Sequence, residues 1–260
     1  MDDHARAVKA SYKYAQGGSD DAIKYIEDEL PDYSLDEGLS DYESVVLHNR
    51  QKNHTIIGYR GTLLHDKNDL IEDAKIGLGL HHIKTIHRQK QADLKYQRVA
   101  NTYRDSDISV AGHSLGGVQS YYVATKHGLE GHHFNIGETP IPGFETMHRV
   151  NSYLYSDKPE YQKQHIYHAE RYSGFGLIHN GSDPISQGTK HLPGQHHMVK
   201  VSTYTNIGAH YLDNFITPRR KKTQEPLPQP KVSIRPPQPI VYQDFAEPRT
   251  IRMKKKRTIK

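Results

Sequence analysis

The chain of 260 residues contains no cysteine and no tryptophan. The first absence removes disulfides, thiolate nucleophiles and cysteine-ligated zinc from its chemistry, and it fits a reducing compartment. Long apolar runs are missing too. Nowhere do about 18 consecutive apolar residues occur, so no membrane-spanning helix is expected. The first residues, MDDHARAVKASYKYAQGG, are charged and hold no apolar stretch of signal-peptide length, which makes a cytoplasmic or nuclear protein the expectation. Acidic residues are scarce at one end only. Residues 218–260 hold 13 of the 35 Lys and Arg but 3 of the 30 Asp and Glu, a net +10 that leaves −5 for residues 1–217. The same segment carries 8 of the 14 prolines. It has too little apolar surface for a core of its own, so it reads as a basic, Pro-rich, disordered tail. The remainder divides into an N-terminal helical segment, 1–39, and a folded domain, 40–217.

What the sequence does contain is an alternation of helical and strand-like patterns. SDDAIKYIEDEL (19–30) opens on a good capping residue and sets Ile23, Ile26 and Leu30 on one helical face. SVVLHN (44–49) and HTIIGYRG (54–61) are β-rich runs joined by the polar RQKN, a predicted hairpin. In residues 91–105, Tyr96, Val99, Ala100 and Tyr103 follow the spacing of a helix packed on something flat. DISVAG then reads as a strand and VQSYYVATKHG as a helix ending at a glycine. HHFNIG, GFGLIHN and HMVKVSTY are further strands, and AHYLDNFI a last helix. This order predicts an α/β domain with a mostly parallel central sheet and flanking helices.

One serine stands where strand gives way to helix, in ISVAGHSLGGVQ. Gly112-His113-Ser114-Leu115-Gly116 has the G-x-S-x-G form and the strand–turn–helix setting of a nucleophile elbow. There the chain turns so sharply that positions two before and two after the serine must be small. Gly112 and Gly116 meet that demand, and Gly117 lets the helix approach the sheet. The turn lifts the hydroxyl above the sheet and places the Leu115 N–H at the helix start, where it can bind an oxyanion. A glycine-rich turn with an incidental serine would read alike, but the flanking pattern favours the nucleophile.

AGHSLGG, preceded by IIGYRGT, resembles the class 3 lipase family, the α/β-hydrolases that include fungal triacylglycerol lipases and plant phospholipases A1. The resemblance spans roughly residues 40–217. It implies an α/β-hydrolase fold and a serine hydrolase of lipid carboxylic esters that needs no cofactor. It implies that Thr62, the residue after Arg-Gly, joins Leu115 in the oxyanion hole. It also places a lid over residues 63–86, with Gly77 and Gly79 as hinges and Leu78 and Leu80 meeting lipid; an ordinary covering helix is the alternative.

A serine nucleophile needs a base and an acid that orients it, and this fold runs Ser, Asp or Glu, His in chain order. Asp183 in GLIHNGSDPIS resembles the family's acid segment and precedes the last strand. Asp157 in SYLYSDKP is its rival. For the base, His210 in NIGAHYLDNF follows the last strand, whereas His191, His196 and His197 fall before it. His113 packs beside the nucleophile.

With 19 histidines the chain also invites a metal reading. The pairs at 81–82, 132–133 and 196–197 do not support it, because adjacent residues of a strand or helix point apart, and no H-E-x-x-H occurs. Neither metal nor cofactor is expected. The tail has several readings. It is solvated without a partner, or holds anionic lipid at about 1 kcal/mol per Lys or Arg, or contacts nucleic acid non-specifically, or acts as a nuclear address, which KKKR resembles. The basic runs PRRKK and MKKKRTIK hold no aromatic residue for base stacking, so lipid or localisation ranks above nucleic acid. Such a tail on a lipase would suit a virion-associated enzyme that breaches membranes. The alternative from another class is a non-catalytic lipase-fold protein that binds through its tail; an intact candidate triad argues against it.

Overall fold

A computed structural model describes residues 2–63, 87–137, 158–171, 192–201 and 211–217. Within them the period-two runs become a seven-stranded sheet in the order β1 (Ser34–Leu35), β2 (Ser44–Asn49), β3 (His54–Tyr59), β4 (Asp107–His113), β5 (Glu130–Phe134), β6 (Gln164–Arg171), β7 (Gln195–Val201). The pairs β1–β2 and β2–β3 are antiparallel and every later pair is parallel. The expected hairpin is β2–β3, with Asn49 opposite His54 and Asn53 taking the left-handed turn at φ 48°.

Strand alternation sends side chains to two cores. On one face Val45, Leu47, Ile56, Ala111 and Phe134 meet α1 (Asp2–Glu29). On the other, Val46, Ile57, Tyr59 and Val110 meet Ala92 and Val99 of α2 (87–102) and Val123 and Ala124 of α3 (Leu115–His127). The expected helix over 19–30 is the second half of α1, which breaks at Gly18 (φ 79°, ψ −166°). Its first half falls in the helical segment expected over 1–39, but its buried face carries little pattern because it is built from small residues. Ala5, Ala7, Val8 and Ala10 are fully buried, and the helix backbone lies so close to β3 that a Cβ on Gly58 would sit 2.7 Å from the Ala7 carbonyl oxygen. Strand β6 was likewise not anticipated. Its QHIYHAER pattern has histidine at positions a hydrophobic count leaves empty, yet His168 is 1% exposed.

Between β5 and β6 the described residues include a short helical turn, α4 (Pro159–Gln162). The last helix expected over 209–216 is, in its described part, a 3₁₀ turn (Leu212–Phe215) between extended residues Tyr211 and Ile216. Packing rather than helix length holds it, since Phe215 lies 5.2 Å from the Phe134 ring and the Arg6 guanidinium donates to the Thr217 carbonyl at 2.7 Å. The strand expected at GFGLIHN and the lid segment (all but Leu63) lie outside the described residues. The chain divides into units Met1–Arg219 and Arg220–Lys260; the second takes in nearly all of the basic tail and lies outside them as well.

Candidate active site

The carboxyl end of β4 delivers Ser114 into the backbone geometry expected of an elbow. Its φ of 54° and ψ of −122° fall in a region that costs a non-glycine residue on the order of 1–3 kcal/mol and persists only where its surroundings enforce it. Three bonds enforce it here. The Ser114 N–H donates to the Phe134 carbonyl at 3.1 Å, and its own carbonyl accepts from Gly117 and Gly137 at 2.9 and 3.0 Å. Gly112 and Gly116 are required by crowding: a Cβ on the first would run into the Gly116 carbonyl, and one on the second into the carbonyls of Tyr59 and Arg60. Gly117 is closely approached too, with a Cβ there meeting Ile136 Cα at 3.2 Å. Ser114 itself is half-buried, and Leu115 opens α3, in the turn whose N–H groups lack intrahelical partners.

The Arg-Gly-Thr segment lies against this turn. Tyr59 pairs with Gly112 across β3 and β4, and a Cβ on Gly61 would come within 2.9 Å of Ser114 Cβ. Thr62, one residue on, is exposed. Arg60 is 4% exposed; its Nη1 donates to the Gly61 carbonyl at 2.7 Å, its Nε donates to the Tyr42 carbonyl, and its guanidinium lies 4.1 Å over the Tyr42 ring. This arginine therefore fixes the backbone that leads into Thr62.

A further group was not foreseen. Tyr12 of α1 accepts a hydrogen bond from the Gly61 N–H at 2.8 Å and lies 2.8 Å from His113 Nδ1. With its oxygen accepting from Gly61, the phenol O–H is left to donate to the imidazole. Burial pushes the phenol pKa well up, so it stays protonated and keeps that donor. His113, expected to pack beside the nucleophile, does so, 6% exposed. No sequence signal singled out Tyr12 among 18 tyrosines; only the docking of α1 on the sheet selects it.

Of the five residues expected in the site, the structure brings Thr62, Ser114 and Leu115 to one strand end. Asp183 and His210 lie outside the described residues, as do Asp157 and His191. His196 and His197 sit at the start of β7, three strands from β4. Each pairs with an imidazole of β6, His196 Nδ1 with His168 Nε2 at 2.9 Å and His197 Nε2 with His165 Nδ1 at 3.1 Å.

No protein-family model and no curated protein matches the sequence. Solved structures do match. The nonglycosylated LIP2 lipase of Yarrowia lipolytica superposes with a TM-score of 0.50 at 16% identity, over 77% of this chain and 78% of that one. A second structure of Lip2 gives 0.48 at 16%, over 75% and 76%. Rhizomucor miehei lipase in its propeptide complex gives 0.39 at 12%, over 63% and 57%. At such identities the likeness is one of fold. This chain has the α/β-hydrolase fold, with a mostly parallel sheet flanked by helices, in the form found in fungal class 3 lipases.

Proposed function

We propose that the protein is a serine hydrolase of lipid carboxylic esters, of phospholipase A1 or acylglycerol lipase type. The observation that carries this is the backbone of Ser114, strained at φ 54° and ψ −122° at the end of a parallel strand with the Gly61–Thr62 turn against it. A scaffold gains nothing from that strain; a nucleophile gains exposure and two oxyanion donors. Ser114 Oγ attacks the ester carbonyl, and the developing oxyanion accepts from the N–H groups of Leu115 and Thr62. His210 takes the serine proton and passes it to the leaving alkoxide, with Asp183 holding the imidazole. Water then repeats the cycle on the acyl-enzyme and frees the fatty acid. The position of the segment after His210 supports this assignment. Phe215, five residues after His210, packs on Phe134, the residue paired with His113 across β4 and β5.

The test is hydrolysis of a panel of phospholipids, acylglycerols and short soluble esters by the wild type and by point variants. Asp183→Asn and His210→Ala are each expected to lower kcat on the order of 10⁴-fold. Asp157→Asn and His197→Ala should stay within about tenfold. A crippled Asp157→Asn would move the acid while keeping the reaction class; no ester cleaved by the wild type would sink the reading altogether.

The charge segregation of the sequence favours a role for the tail at an anionic lipid surface. A chain ending at Thr217 keeps the bonds of Arg6 and Asp2 to that residue and loses the +10 segment. It should hydrolyse a small soluble ester unchanged and bind anionic vesicles markedly less. Full-length binding should weaken with salt, since exposed charges are screened over about 8 Å at physiological ionic strength. If vesicle binding survives the truncation, a nuclear address or nucleic-acid contact becomes the better reading, and a reporter fused to residues 218–260 would reveal which.

A further inference from the structure

Beneath the first turns of α1 the sheet presents a row of imidazoles that the proposed reaction leaves unused. His54 of β3, His132 of β5, His165 of β6 and His197 of β7 lie on the α1 side, and His4 of α1 meets them. The His4 and His132 rings stack at 3.7 Å, and His132 and His165 at 4.8 Å. Ser109 Oγ is 2.9 Å from Nε2 of both His4 and His54. On β5, Glu130 Oε1 lies 2.7 Å from His132 Nε2. Of the row, His4 and His132 are buried, and buried polar rings are costly unless they are bonded to something.

We propose that His4, Glu130 and His132 are the protein ligands of a divalent transition-metal ion of the zinc type, which ties α1 to β5. One ligand atom from each residue lies within 4.8 Å of the other two. Zinc holds nitrogen and oxygen ligands at about 2.0–2.2 Å, which sets tetrahedral donors ~3.4 Å apart, so a small closure completes the site. The ion takes the place of the proton shared by Glu130 and His132, and the His4 ring turns to present a nitrogen rather than its face. Two imidazoles and one carboxylate are a donor set that suits zinc and its neighbours better than magnesium or calcium. A partner for the far side of one ligand is in place, with the Tyr167 hydroxyl 3.0 Å from His132 Nδ1, the position from which outer groups orient ligating histidines. Glu130 is half exposed, and with Asp107 and His165 it lines a cavity of about 560 Å³ at the amino ends of β4–β6.

The expectation that the paired histidines would not form a site rested on their pointing apart, and they do. His133 turns to Ser120 on the opposite face, 2.8 Å away. The ligand set comes instead from two elements far apart in sequence. Its effect is mechanical: in a chain without cysteine the ion cross-links the helix that carries Tyr12, eight residues or about 12 Å further along. The site stands whether or not the hydrolase reading does.

The test uses the full-length protein stripped with EDTA. Titration with Zn²⁺ by calorimetry should show a single ion bound per chain, with Kd in the micromolar range or tighter, and raise the melting temperature. Co²⁺ should give the visible absorption bands of a low-coordinate site, and Mg²⁺ neither effect. Glu130→Gln and His132→Gln should weaken Zn²⁺ at least about tenfold, while His196→Gln, in the separate pair on β7, should not. Glu130 is half exposed, so its variant reports even if His132→Gln fails to fold. Absence of saturable Zn²⁺ binding, binding untouched by Glu130→Gln, or equal binding of Mg²⁺ would each overturn the proposal.

Discussion

Two serines five residues apart, Ser109 within β4 and Ser114 just past its end, show how differently one strand can present a hydroxyl. Ser109 has the richer surroundings by inspection, since its Oγ is within 2.9 Å of two imidazole nitrogens. Yet it sits in regular strand, 2% exposed, beneath α1, with its backbone N–H and carbonyl committed to the sheet. Ser114 is half-buried and occupies a strained turn at the start of a helix. A histidine neighbour is therefore not sufficient. On the proposed reaction, access for an ester and N–H groups for an oxyanion decide the matter, and both would come from backbone geometry at the strand's end.

The sharpest way to break this comparison is to remove the two hydroxyls in turn. Ser114→Ala should lose ester hydrolysis on the order of 10⁴-fold or more with an almost unchanged melting temperature. If Ser114→Ala keeps more than a few per cent of activity, the nucleophile is elsewhere, and Ser109 would be the first place to look. The next effect in size belongs to the turn. Gly116→Ala drives a methyl into the Tyr59 and Arg60 carbonyls, and overpacking of this kind costs about 1–3 kcal/mol. Because the displaced atoms hold the serine and the oxyanion loop, activity should fall about 100-fold, out of proportion to the loss in stability. Equal activity in the two proteins would mean the elbow tolerates relaxation and its strain is incidental.

These expectations also mark where sequence is readable. The elbow was legible because tight turns need glycine, and glycines are visible letters at fixed spacing. The β2–β3 hairpin and the parallel run into β4 were legible for a similar reason, since apolar residues of period two have few other uses. Histidine has many, and that is where reading failed. β6 was missed because His165 and His168 do not count as hydrophobic, although the strand is buried from Gln164 to Ala169 save for His165. The first half of α1 was expected only as part of a helical segment, and its buried face was missed because alanines and a charged surround carry little periodic signal. With it went Tyr12 and His4, whose roles depend on where the helix docks. Chain order made Asp183 and His210 candidates, and both lie outside the described residues.

Tyr12 sharpens the comparison at intermediate scale, because it ties α1 to the elbow as Ser109 ties α1 to the strand. Tyr12→Phe keeps the ring and deletes the oxygen that accepts from Gly61 N–H and meets His113 Nδ1. A positioning bond of about 1.4 kcal/mol corresponds to a tenfold change in rate, and the loss should appear in kcat more than in KM, since on the proposed mechanism Thr62 binds the oxyanion only as it forms. A rise in KM at constant kcat would instead make Tyr12 part of the substrate pocket.

The smallest effect on activity is expected from Ser109→Ala, and it is the most exacting half of the comparison. The substitution removes a bridging hydroxyl and leaves the Nε2 atoms of His4 and His54 without that partner in a mostly buried setting, where an unsatisfied group costs about 1–3 kcal/mol. For a domain of this size each kcal/mol lowers the melting temperature by about 2–4 °C, so the variant should melt measurably earlier. Ester hydrolysis well below that temperature should stay within about twofold of wild type, because no reacting atom is touched. His54 keeps its bond to Tyr33 at 2.8 Å, which limits the damage to the His4 side. If hydrolysis falls with the folded population still complete, the imidazole row communicates with the elbow through α1. The two serines would then belong to one coupled system rather than to a site and its foundation.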